Sequence, residues 1–215
     1  MAWVCVDRGI QLAESLGIRD APLAGWRAAR EEIRSDVLRH GYNPAAGAFV
    51  QSYGDRALDA SALRFPLVEF IAGDDPRMVS TIDRIIQKLE SSEALVHRYD
   101  PRRVDDGLPG SEGAFAICSF WLVSALSRAG RVEEAQRRFG VLCGRASELG
   151  LYAEEFVAAG MLGNFPQAFT HLALIQAAAD IEATRQADSP RTATGRQNSP
   201  AAIPPTFRSP GTGTT

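Results

Sequence analysis

Residues 114–130, AFAICSFWLVSALSRAG, are the most apolar stretch of the chain. Wound into a helix, this segment has hydrophobic side chains nearly all round, and such a helix must be covered on more than one side. It is shorter than the roughly 20 apolar residues a membrane span requires. Its covering therefore has to come from other helices, and this requirement governs the reading of the rest of the chain. At 215 residues and 45% hydrophobic content there is enough material to bury a core of that kind.

The covering helices are legible from their apolar spacing. Residues 22–40 carry Trp26, Ala29, Ile33 and Val37 on one face and charge on the other, and Gly41 ends the run. Asp75 and Pro76, in cap-then-Pro order, open a helix with Met78, Ile82, Ile85, Ile86 and Leu89 in a stripe. After Gly130 a further helix reaching toward Gly150 aligns Val132, Ala135, Phe139, Leu142, Ala146 and Leu149, while Glu133, Glu134, Arg137 and Arg138 face water. Between these lie more fully apolar segments: 1–17, with Trp3, Val4, Val6, Ile10, Ala13 and Leu16; 59–73, capped by Asp59 and kinked or broken at Pro66; and 166–182. Short strand-like runs are expected at 49–53 and 94–99.

Seven helices thus alternate between buried and one-faced types. The buried ones after the first begin near Asp59, Glu112 and Pro166, at spacings of 53 and 54 residues. A fixed period of this order signals a repeat architecture, and the 34-residue tetratricopeptide pattern is absent. Two concentric layers of helices, with long loops at one end, describe an all-α toroid of the (α/α)6 type. Seven of its twelve helices are present. A first helix that starts at once on Trp3, with no capping residue, points to further sequence upstream.

Composition narrows the function classes. A net charge of -3 gives no reason to expect nucleic acid or an acidic membrane surface as partner. Cys5, Cys118 and Cys143 are odd in number and far apart, which suggests neither a disulfide framework nor a zinc site, and Cys118 and Cys143 read as core residues. No metal and no cofactor are expected. Asp7 and Arg8 interrupt the N-terminal apolar run, so no signal peptide is read and a cytoplasmic location is expected. Residues 185–215 hold five of the twelve prolines and much Ser, Thr and Gly, with four Arg against one Asp. That composition predicts a disordered tail following a structured body at 1–184.

The chemistry-bearing stretch is 151–172, LYAEEFVAAGMLGNFPQAFTHL, which sets Glu154 and Glu155 in an irregular segment just ahead of the last apolar helix. The segments MAWVCVDRGIQLAE, QSYG, LDAS, HRYD, DGLPGSEGAFAICSFWLVSAL, AEEF and GNFPQAFTHLALI, in that order over residues 1–184, resemble bacterial members of glycoside hydrolase family 15, the glucoamylase and trehalase-like enzymes. The resemblance implies an (α/α)6 barrel and inverting hydrolysis of an α-glucosidic bond in a glucan, a maltooligosaccharide or trehalose. Inversion requires two carboxyl groups roughly 6.5 to 9.5 Å apart, one protonating the leaving oxygen and one activating water.

By that resemblance the general base is Glu154. Glu155 is the weaker candidate, since neighbours in an extended segment point opposite ways. The family's general acid precedes the helix that looks like the first one here, so its position falls outside this sequence. The isolated chain is then expected to be inactive, or to need association with the missing helices through its exposed inner-helix faces. Arg98 matches a substrate-binding arginine or forms a surface ion pair with Asp100. Glu112 bonds a sugar hydroxyl or caps the fifth helix. Tyr53, Asn164 and Gln167 are expected at the pocket, His171 as a satisfied core histidine, and Trp3 and Trp121 in packing.

Overall fold

The computed structural model describes residues 1–92, 94–100, 113–158 and 160–188. Seven helices are present among them: α1 (Ala2–Ser15), α2 (Leu23–His40), α3 (Arg64–Leu67), α4 (Pro76–Leu89), α5 (Ala116–Arg128), α6 (Val132–Cys143) and α7 (Ala168–Asp188). Three small antiparallel sheets sit in the connections. They pair β1 (Tyr42–Asn43) with β2 (Ala48–Phe49), β3 (Glu90–Ser92) with β4 (Leu95–Val96), and β5 (Ala114–Phe115) with β6 (Glu155–Val157), which also pairs with β7 (Gly160–Leu162).

α5 is the centre of the packing, as its composition requires. Ten of its thirteen residues are buried, among them Phe120, Leu122, Val123, Ala125 and Leu126. It lies against α6 and α7 and touches α3 and α4. The outer helices behave as one-faced: α2 buries no residue completely, and α4 buries Met78, Ile82, Ile85 and Leu89 along a single stripe. Ion pairs, as well as apolar contact, tie neighbouring elements together. Arg128 Nη2 donates to Asp180 Oδ1 at 2.8 Å across α5 and α7, and buried Arg138 of α6 donates to Glu90 Oε1 at 2.6 Å. Gly73 lets the chain pass α5 closely, because a Cβ there would lie 2.2 Å from the Arg128 carbonyl oxygen.

Several expectations are corrected. The third inner helix is not a long kinked helix over 59–73 but a 3-10 turn at Ala60–Leu63 running into the four residues of α3. Asp59 caps it as expected, Oδ1 accepting from Ser61 N at 2.7 Å. Pro66 is tolerated in the first turn, where no N–H is needed, but Glu69 at φ 64 then turns the chain out of the helix. α6 ends at Cys143, so Leu149 is exposed. Cys143, read as a core residue, is exposed too, because the buried stripe runs out at the last turn. The irregular segment around Glu155 is the middle strand of a sheet. α7 continues to Asp188, and the remainder of the expected tail lies outside the described residues, as does Glu112.

Candidate active site

The segment carrying the two acids is fastened residue by residue to the start of α7. Gln167 N donates to Tyr152 O at 2.9 Å, Thr170 Oγ1 to Ala153 O at 3.1 Å, and Glu154 N to Asn164 O at 3.0 Å. On the other side Ala116 N, one of the unpaired donors at the start of α5, donates to Glu154 O at 3.0 Å. Tyr152 anchors the segment from beneath. Its ring meets Phe120 edge-on at 5.6 Å, its hydroxyl donates to Leu142 O, and burial pushes the phenol up to about 12. His171 closes the same corner: Tyr152 N–H can only donate, so Nε2 accepts it at 3.3 Å and Nδ1–H donates to Gln167 O at 2.7 Å. A histidine satisfied in this way is the expected structural one.

The two neighbouring carboxylates part company because the backbone is extended. Glu154 lines a cleft of about 310 Å³ together with Ser61, Arg64, Arg98, Phe115, Ile117, Cys118, Trp121, Gln167, Phe169 and Thr170. It is the one carboxylate among those lining residues. Glu155 is turned the other way, its Oε2 accepting from Gly113 N at 2.7 Å. Glu154 Oε2 accepts from Asn164 Nδ2 at 2.9 Å and from Asn164 N at 3.3 Å. These bonds tether one oxygen, and Gly163, at φ 78, makes room for it: a Cβ there would lie 3.0 Å from both Cβ and Oε2 of Glu154.

Arg98 is a further residue lining the cleft. Its backbone is fixed by Ala60 N donating to Arg98 O at 2.7 Å, and its neighbour Val96 N donates to Ser119 Oγ at 3.0 Å. Its Nε lies 3.8 Å from Oδ2 of Asp59, the capping carboxylate of the following 3-10 turn. Gln167 is among the residues lining the cleft, and Asn164 donates to Glu154 itself.

Tyr53 is not brought to this place. It is exposed, its hydroxyl donates to Asp36 Oδ2 at 2.7 Å, and it lines a separate depression with Arg39, His40, Tyr42, Asn43 and Pro44. The hydrogen bond holds the Asp36 carboxyl below its ordinary value and raises the Tyr53 phenol.

Residue-level reading missed Arg64, which begins α3, and Trp121 as a cleft residue. The Arg64 guanidinium lies 5.2 Å above the Trp121 ring. Nothing in their local sequence marks them, since α3 and α5 meet only in the folded chain. Trp3 packs as expected, edge-on to Phe70 at 5.2 Å. Among the described residues there is no cluster of His, Cys, Asp and Glu able to hold a metal ion, and no helix long and apolar enough to cross a membrane.

Comparison with known proteins gives the family and the fold. The model of the glycosyl hydrolases family 15 matches residues 1–179. The trehalase of Mycobacterium tuberculosis is 50% identical over 192 residues, which are 88% of this chain and 28% of that protein. The trehalase of Thermoplasma acidophilum is 39% identical over 184 residues, 85% of this chain and 31% of the relative. The chain thus spans under a third of the length of these curated relatives. Among solved structures, a glycosidase variant in complex with glucose superposes with a TM-score of 0.64 at 20% identity, over 76% of this chain and 46% of that one. A wild-type glycosidase gives 0.61 at 21% identity, with the same coverage of both chains. At such identities the likeness speaks to fold alone, and the fold is part of a six-hairpin helical toroid. The residues matched and the helical layers agree: the chain belongs to glycosyl hydrolase family 15.

Proposed function

We propose that this chain provides the base-bearing part of a trehalose-hydrolysing active site that works by inversion. The observation that carries the reading is Glu154, a tethered carboxylate facing a cleft also lined by Arg98 and Gln167. Trehalose is favoured over α-glucans because the curated relatives, at up to 50% identity, are trehalases.

In this reading Glu154 takes a proton from water as the water oxygen bonds to the anomeric carbon. The bond from that carbon to the bridging oxygen breaks, and an acid protonates the oxygen as it leaves. Trehalose plus water gives one β-glucose and one α-glucose. The acid belongs on the far side of the bond, roughly 6.5 to 9.5 Å from the base, and no second carboxylate lines the cleft among the described residues.

Activity is therefore expected when the helices that complete the toroid are supplied, on the same polypeptide or a separate one. By itself this chain should be close to inactive, since loss of an acid or base step typically costs about 10²- to 10⁴-fold. The test is proton NMR of trehalose incubated with the completed domain. Initial release of β- and α-glucose in equal amounts, falling by about 10²-fold or more in Glu154→Gln, is the expected result. A completed domain that hydrolyses maltooligosaccharide but not trehalose would overturn the substrate, and an unchanged rate in Glu154→Gln would overturn the base.

A further inference from the structure

Arg64 stands out in the cleft by what it does not touch. Among the described residues its guanidinium has neither a hydrogen-bond acceptor nor an ion-pair partner, and it lies 5.2 Å from the centre of the Trp121 ring. Arg98 differs, with Asp59 at 3.8 Å, and most other buried or half-buried arginines are engaged: Arg128 with Asp180, Arg131 with Glu134, Arg138 with Glu90. A guanidinium carries five N–H donors in a rigid fork and accepts nothing. Donors withdrawn from water into a cleft need acceptors. In this cleft the protein acceptor nearest in role, Glu154 Oε2, already takes two bonds from Asn164.

We propose that Arg64 donates hydrogen bonds to adjacent hydroxyl oxygens of the bound glucosyl unit and so selects its orientation, with Trp121 as the positioning residue that holds the guanidinium in place. The assignment rests on the reading of the cleft as a sugar site and adds a specificity-determining residue to it. It also assigns Trp121 a role different from sugar stacking. One face of the ring is taken by the Arg64 guanidinium, and in this assignment the ring acts on the substrate through the cation. The physical consequence is a dependence on particular hydroxyls. A site built to donate to an OH discriminates strongly against the analogue lacking it, whereas a hydrophobic wall does not.

The test is titration of the 215-residue chain with trehalose and with each monodeoxy trehalose, followed by saturation-transfer NMR and tryptophan fluorescence. Arg64→Leu is expected to weaken trehalose binding by about 10- to 100-fold, the worth of a charged hydrogen bond. It should also erase the penalty that the wild-type chain imposes on at least one deoxy analogue. Arg64→Lys should recover part of the affinity, and Trp121→Leu should weaken binding while keeping the same deoxy preference. Arg64→Gln, with far-ultraviolet circular dichroism as a check on folding, serves should the leucine variant misfold. Binding that Arg64→Leu and Arg64→Gln both leave unchanged overturns the assignment alone. Equal deoxy penalties in wild type and variants do the same. No binding of trehalose to the wild-type chain overturns the sugar-site reading, and this assignment with it.

Discussion

At the scale of single residues, the pair Glu154 and Glu155 shows how strand geometry separates like side chains. Both are acids, they are adjacent, and only one faces the cleft. Because Gln retains a carbonyl oxygen that can accept from Gly113 N, Glu155→Gln should leave trehalose turnover of the completed domain within about twofold, against the large loss expected for Glu154→Gln. Steady-state rates of the two variants side by side check this, and equal losses would contradict the division of roles. Gly163 is the second residue on which the site depends. Alanine at its positive φ costs about 1–2 kcal/mol, and its methyl group would press on the Glu154 carboxylate at 3.0 Å. Gly163→Ala is expected to lower both the melting temperature and the turnover, read by calorimetry and by the same assay. The alternation of Glu154 and Glu155 was legible from the sequence because a period of two is local. The absence of Tyr53 from the cleft was not, because the competing partner Asp36 lies 17 residues away on α2.

At the scale of elements, α5 follows its composition most faithfully, since an all-round apolar helix has one way to leave water. α3 follows its sequence least. The run 59–73 is apolar enough for a helix, yet the local backbone at Glu69 and the close passage of Gly73 against Arg128 stop it after one turn. α6 carries an electrostatic clamp that composition cannot show. Glu134 accepts from Arg131 at 2.7 Å and from Arg138 at 3.0 Å. Burial acts to raise its carboxyl, but the two guanidinium bonds outweigh burial and hold it below the ordinary value of 4.5. A group whose folded value is depressed stabilises the fold above its unfolded value and loses that contribution as pH falls through the folded one. Glu134→Gln should therefore lower stability by about 1–2 kcal/mol near pH 7, a charged hydrogen bond discounted for partial exposure. The gap to wild type should close as pH drops below 4.5. Urea unfolding at a series of pH values measures it, and a gap independent of pH would exclude the clamp.

At the scale of the whole molecule, the two layers end in two open edges. α1 exposes Leu12, with Leu16 exposed just past its end, and α7 exposes Phe169, Leu172 and Ile175, three residues apart and so close to one face. Among the described residues, α1 packs mainly on α2, and α7 on α5 and α6, and these apolar side chains stay uncovered. Apolar surface of this extent drives association. The isolated chain is expected to self-associate at micromolar concentration. Leu172→Glu combined with Ile175→Glu should shift it toward monomer without lowering its melting temperature. Sedimentation velocity decides, and a wild-type chain that is already monomeric would count against open edges.

The amino-acid sequence by itself determined the number of the helices, their alternation, the cap that Asp59 provides to the 3-10 turn ahead of α3, the family, and which stretch bears the acids. All of these rest on spacing within a few turns or on motifs read in order. Only the tertiary structure decided which side chains share the cleft: Arg98 and Glu154 from loops 56 residues apart, with Arg64 over Trp121 from two different helices. Their meeting depends on how the layers pack, and packing is set by the summed burial of the core around α5 rather than by any residue's own neighbours in sequence.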